Sequence, residues 1–160
     1  MPSGWIKGLQ LEPHIEGGYY RQTFDATQQL ATPSGKRSLM NTIYYLLTED
    51  SPIGHFHRNS SDITHFYHAG GPVNYVLISP QGELSKNVLG PDLGAGQVIA
   101  FTTPGQWWKS SHLPAGVSQC LISEVTAPGF DYADHELATV ALFKTKFPDL
   151  VEGVRGFILS

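Results

Sequence analysis

Apolar residues in this chain recur mostly at every second position, in short runs separated by Gly, Pro, Asn and Asp. Tyr19 to Phe24 alternates like a strand after the Gly17-Gly18 breaker, and Asn41 to Thr48 (NTIYYLLT) is apolar on both faces, as a central strand would be. Val73 to Ser79 and Leu84 to Leu89 flank the turn Pro80-Gln81-Gly82-Glu83 and read as a hairpin. Val98 to Thr103, Trp107 to Ser111 and Val117 to Thr126 read as three more strands, whereas Gln28 to Arg37 reads as a polar loop. Helical spacing appears near both ends. Ser3 is placed to cap a short helix over Ser3 to Leu11. Asp134 is placed to cap a longer one over Glu136 to Phe147, with Leu137, Val140, Ala141 and Phe143 inward and Pro148 as its stop. One further turn is expected over Asp149 to Gly153. The pattern predicts eight or nine strands followed by one or two helices, a single β domain over residues 1–160. Antiparallel strands of this number avoid open edges by closing into a barrel or stacking as a jelly roll, and such a barrel can enclose one small ligand.

Composition narrows the class. The chain has 160 residues, 41% hydrophobic and 15% charged, which suits one globular domain and not a disordered segment. A net charge of −4, with no basic run longer than Lys36-Arg37, argues against nucleic acid as the main partner. The one cysteine, Cys120, excludes an internal disulfide and lies in an apolar run, so a buried, inert thiol is expected. With no run long enough for a membrane span and no apolar leader, the expectation is a cytoplasmic protein without a membrane partner.

Candidate chemistry concentrates in the stretch GHFHRNSSDITHFYHAGG, Gly54 to Gly71, which holds His55, His57, His65 and His68. In a strand, the H-x-H triplet His55-Phe56-His57 turns both imidazoles to one face. Arg58 to Ser61 reads as a turn and Asp62 to Ala69 as a second strand. Paired antiparallel, the two strands would bring His57 within reach of Asp62, His65 or Tyr67, depending on register. A His–carboxylate pair with a second proton donor is the equipment of general acid–base catalysis, which makes His57, Asp62, His65 and Tyr67 the catalytic candidates. Around the Gly-Gly turn, Glu16, Tyr20 and Arg21 are ligand-binding candidates. Arg21 is suited to clamp a carboxylate or phosphate, or else to pair with Glu16. His55 joins them as a pocket residue. Trp108 and Lys109 offer a stacking platform beside a cation, the alternative being that the tryptophans are core.

The segments PHIEGGYYR (Pro13 to Arg21), IGHFHRNSSDITHFYHAG (Ile53 to Gly70), ISPQGEL (Ile78 to Leu84), PGQWWKSS (Pro104 to Ser111) and SEVTAPGFDYADHEL (Ser123 to Leu137) together resemble the cupin superfamily. Within it, the chain resembles the family of unknown function with a PHxEGGYYR-type opening. The resemblance implies an all-β cupin-like jelly-roll barrel with a short N-terminal and a C-terminal helix, a pocket inside it, and a homodimer. The superfamily's metal pattern maps its first motif onto His55, His57 and Asp62. The histidine of its second motif falls on Trp108 or Lys109, neither a usual ligand, so no metal cofactor is expected, a divalent metal on His55, His57 and Asp62 being the alternative. The function implied is that of a small-molecule-binding cupin, an isomerase or epimerase that needs no metal and acts on a carbohydrate-like or nucleotide-linked ligand. The alternatives are a metal-dependent oxygenase and a barrel that binds without catalysis.

Overall fold

The computed structural model describes residues 4–160. The strands are β1 (Glu12–Pro13), β2 (Tyr19–Asp25), β3 (Gln29–Thr32), β4 (Gly35–Ser38), β5 (Asn41–Thr48), β6 (Ile53–Arg58), β7 (Asp62–Gly70), β8 (Val73–Ile78), β9 (Leu84–Leu89), β10 (Ala100–Thr103), β11 (Trp108–His112), β12 (Gln119–Ala127) and β13 (Glu136–Leu137). Helices are short: α1 (Gly4–Gly8), α2 (Val140–Lys146) and α3 (Val151–Val154). Six strands form one antiparallel sheet in the order β1-β2-β5-β12-β7-β10, and five form the facing sheet in the order β13-β6-β11-β8-β9. The result is the jelly-roll barrel that the strand pattern predicts.

Period-two alternation builds two cores from one sheet. Along β8, Val73, Tyr75 and Leu77 point into the barrel, where they meet Tyr45, Leu47, Cys120 and Ile122 of the facing sheet. Val76 and Ile78 point outward and, with Phe56 and Trp108, are covered by Phe143, Phe147, Val151, Val154 and Ile158 of the C-terminal helices. A strand buried on both faces reads as a near-continuous apolar run, and VNYVLI does so apart from the half-buried Asn74.

Several sequence expectations are corrected. β6 and β7 do not pair: β6 lies between β11 and β13, and β7 between β12 and β10, so the turn at 59–61 carries the chain from one sheet to the other. The polar segment 28–37 is no plain loop but holds a two-stranded ribbon, β3–β4, whose side chains are mostly exposed. Alternation with no apolar face is easily taken for a loop. The N-terminal helix spans only Gly4–Gly8, and the expected cap Ser3 lies outside the described residues. The second helix begins at Val140, capped by Thr139, whose Oγ1 accepts from Leu142 N at 3.1 Å. Asp134 instead holds Arg37, and Leu137 extends β13 along β6. Ala141 is exposed, which leaves Phe143 as the buried anchor of α2.

Phe143 is fully buried against Phe56, Trp108 and Phe147. Phe143→Ala is expected to lower stability by about 3–5 kcal/mol in urea unfolding.

Candidate functional site

One end of the barrel is filled by side chains, and the other holds a cavity of about 470 Å³. Its wall is made by Glu16, Tyr20, Gln22, Asn41, Ile43, Tyr45, His57, Ile63, Glu124 and Thr126, among others, with Glu12, Phe130, Asp131 and Tyr132 at the more exposed end.

Glu16 reaches the interior because of the turn that carries it. His14 N donates to Gly18 O at 2.9 Å and Gly17 N to His14 O at 3.0 Å. Tyr45 Oη donates to Gly17 O at 2.8 Å, Gly18 N to Ser51 Oγ at 2.7 Å, and His55 N to Glu16 O at 2.7 Å. Gly17 has φ +97° and stands so close to the Ile53 carbonyl that a Cβ would collide with it, which is why this turn takes glycine. The Glu16 carboxylate then bridges two imidazoles, with Oε1 at 2.7 Å from His135 Nε2 and Oε2 at 3.2 Å from His57 Nε2. His14 Nδ1 lies 3.6 Å from Oε2. Burial alone would raise the Glu16 carboxyl; His57, His135, His14 and Lys109 outweigh it and bring it down to about 2.

His57 faces inward through a β-bulge. Lys109 pairs with His57 and Ser111 with Gly54, so β6 takes three steps where β11 takes two. The extra residue breaks the expected H-x-H geometry. Gly54 meets Tyr45 and Ser111, and His57 faces the cavity, whereas His55 is not on the cavity wall and holds the Glu16 carbonyl through Nδ1 at 2.9 Å. His57 Nδ1 lies 2.7 Å from the His55 carbonyl, which can only accept, so Nδ1 carries the hydrogen and Nε2 the lone pair of the neutral ring. Burial pushes this imidazole down to about 4, against the pull of Glu16.

A second buried group lies deeper, between the sheets. Lys109 Nζ, from β11, donates to Glu124 Oε1, from β12, at 3.2 Å. His65 Nδ1 donates to the same oxygen at 3.1 Å, and Thr103 Oγ1 lies 3.0 Å from His65 Nε2. Burial followed by Lys109 pushes His65 down to about 4. Burial works to raise Glu124, but Lys109 and His65 hold it well below the carboxylate range.

The mouth is bordered by the loop at 128–135. The Asn41 amide clasps it, accepting from Phe130 N at 3.0 Å and donating to Phe130 O at 3.3 Å. Gly129 N donates to Ser38 O at 2.8 Å, and Arg37 binds Asp134 through Nε at 2.7 Å and one terminal nitrogen at 3.0 Å. This loop delivers Tyr132 to the mouth and His135 to Glu16. Burial, then Tyr132 and Glu12, raise the Tyr20 phenol to about 12.

Of the residues singled out in the sequence, Glu16, Tyr20 and His57 line the cavity, and His65 and Lys109 stand behind it in the Glu124 group. Asp62 does not reach His57; its Oδ1 accepts from Gly105 N at 2.7 Å, at the crossover between sheets. Tyr67 packs beside the inner core and donates to Gly70 O at 2.6 Å. Arg21 turns away from Glu16, bonds Gln10 at 3.2 Å and lies over the Tyr44 ring. Trp108 belongs to the core against Phe143, with Arg58 on its face. Glu124, His135, His14, Tyr45 and Tyr132 escaped the sequence reading. A charged residue in an apolar strand, the Glu of LISEVTA, was the available signal for Glu124.

The metal pattern also fails on geometry. His55 and Asp62 are held away from His57, His55 Nδ1 on the Glu16 carbonyl and Asp62 Oδ1 on Gly105 N, and the Lys109 ammonium occupies the second-motif region. His55, His57 and Asp62 therefore do not come together as one ligand set, and no group of three His, Cys, Asp or Glu side chains among the described residues is arranged to hold a metal ion.

A two-sheet jelly roll with an internal polar cavity is an architecture that cupins share with other jelly-roll proteins. The pattern of the cupin superfamily group DUF985 matches residues 3–138, and the chain belongs to that family. It is 39% identical over 144 residues to the uncharacterized protein YML079W of Saccharomyces cerevisiae, covering 81% of this chain and 71% of the yeast protein. A hypothetical protein from Leishmania major matches with a TM-score of 0.93 at 30% identity over 100% of this chain and 99% of that one. Protein SO0799 from Shewanella oneidensis matches with a TM-score of 0.88 at 32% identity, over 99% and 97%. A dTDP sugar isomerase from Desulfovibrio desulfuricans shares the fold alone, with a TM-score of 0.53 at 16% identity over 75% of this chain and 83% of that one. No helix among the described residues is long and apolar enough to cross a membrane.

The imidazoles set an acid limit on stability. His57 and His65 both titrate lower folded, about 4, than in an unfolded chain, about 6.5. Their contribution is present above pH 6.5 and lost as pH falls toward 4; Glu16 extends the loss from about 4.5 toward 2. Denaturant midpoints are expected to fall steadily from pH 7 to 4. His65→Gln, which keeps a donor for Glu124 and an acceptor for Thr103, should flatten that slope. A slope unchanged in the variant would assign the titration to other groups.

Proposed function

We propose that this protein is a small-molecule enzyme of the isomerase or epimerase type, which moves a proton at carbon in a carbohydrate-like or nucleotide-linked ligand. The carrying observation is the bridged carboxylate: Glu16 between His57 Nε2 and His135 Nε2, at the wall of a cavity that also presents Tyr20 and Tyr132. The neutral His57 ring presents a lone pair on Nε2, and the carboxylate oxygen 3.2 Å away is also an acceptor. A proton taken from a carbon beside a carbonyl lands on Nε2 and is met at once by Glu16. The electrons of the broken C–H bond move into an enediolate. Tyr20, kept protonated by its raised pKa, returns a proton to carbon, its phenolate recovers one from solvent at the mouth, and the His57 imidazolium releases the abstracted proton to solvent, which restores both groups. Depending on the atom that receives the proton, the product is an isomer or an epimer. The metal-independent course fits a site whose buried cation is Lys109.

The test is solvent deuterium exchange. Protein in heavy water with a panel of reducing sugars, amino sugars and sugar nucleotides is expected to wash out one carbon-bound proton signal in the proton NMR spectrum of one of them. His57→Gln should slow that exchange by about 10²-fold or more. Exchange that persists in the variant would remove His57 from the chemistry. Binding without exchange across the panel would favour a non-catalytic barrel.

A further inference from the structure

The charge on the cavity wall narrows the ligand further, on the premise that this cavity is the ligand site. Glu12, Glu16, Glu124 and Asp131 line it, and among the described residues no lysine or arginine does. The nearby cations are engaged elsewhere. Lys109 is buried against Glu124 and offsets that carboxylate, so the field at the mouth comes from Glu12, Glu16 and Asp131. Arg37 sits behind the mouth loop, bound to Asp134, with one nitrogen 3.9 Å from Asp131 Oδ2. Arg21, the residue the sequence offers as an anion clamp, bonds Gln10. A cleft with carboxylates of one sign and protein walls concentrates its potential at the opening. Tyr20, Phe130 and Tyr132 add aromatic surface there, and an aromatic face attracts a cation.

We infer that the cavity takes an amine-bearing ligand, an amino sugar or comparable amino-polyol, and turns away phosphates, nucleoside diphosphates and carboxylates. The ammonium lies at the mouth, by Glu12, Asp131, Tyr20 and Tyr132, with the hydroxylated body toward His57. Within the function proposed above, this selects the carbohydrate-like branch over the nucleotide-linked one.

The probes are a matched pair of small nitroxides, one bearing an amine and one a carboxylate, added to isotope-labelled protein. Paramagnetic relaxation at the Tyr20 and Tyr132 amides is expected to be roughly fivefold stronger from the cationic probe at low salt. The ratio should shrink as salt is raised. Glu12→Gln with Asp131→Asn, two exposed positions whose change spares the core, should remove at least half of the excess. Equal relaxation from both probes, or more from the carboxylate, overturns the inference. So does thymidine diphosphate shifting these amides more than glucosamine at the same concentration. None of these readouts involves turnover. Loss of deuterium exchange with an intact cation preference would therefore sink the reaction and keep the ligand class, and the converse would do the reverse.

Discussion

A lysine ammonium and a carboxylate enclosed between two sheets are tolerable only together. Lys109 comes from the five-stranded sheet and Glu124 from the six-stranded one, so their contact ties the sheets across the barrel interior beside the cavity. Each desolvated charge depends on the other, and removing one partner strands its mate at a cost of about 3–5 kcal/mol. His65 completes the group as the direct cross-strand neighbour of Glu124. The barrel therefore has an apolar part that supplies cohesion and a charged part that borders the candidate site.

The chemistry is assembled from remote parts of the chain. Glu16 comes from a glycine turn, His57 from a bulged strand and His135 from a loop clasped by Asn41 and Arg37. Each carrier is fastened in its own way: Tyr45, Ser51 and His55 hold the glycine turn, and Asn41 and the bidentate Arg37–Asp134 pair hold the loop. The site is thus set in place before any ligand arrives, as the proposed proton transfer would require.

The barrel was legible because inward and outward residues alternate with few interruptions, and because β5 reads as apolar on both faces, as a central strand does. Segments of the opening turn and the histidine stretch also marked out Glu16, Tyr20 and His57. Pairing was not legible. Two histidine-bearing strands adjacent in sequence read as a hairpin, but a jelly roll places them in opposite sheets, so Asp62 yields its role beside His57 to Glu16. Nor does local pattern distinguish an arginine that faces a cavity from one that lies on an outer sheet face, which misplaced Arg21. Helix α2 starts late because the preceding residues pair with β6, a tertiary contact that outweighs the capping preference of Asp134.

The bulge in β6 makes that strand behave like a reading frame. Between Gly54 and His57 the number of residues matters as much as their kind, because β6 carries one residue more than β11 there. Losing that one residue would leave two steps against two, with His57 still inward and Phe56 outward, whereas losing a second would turn His57 to the hydrophobic layer beneath the C-terminal helices.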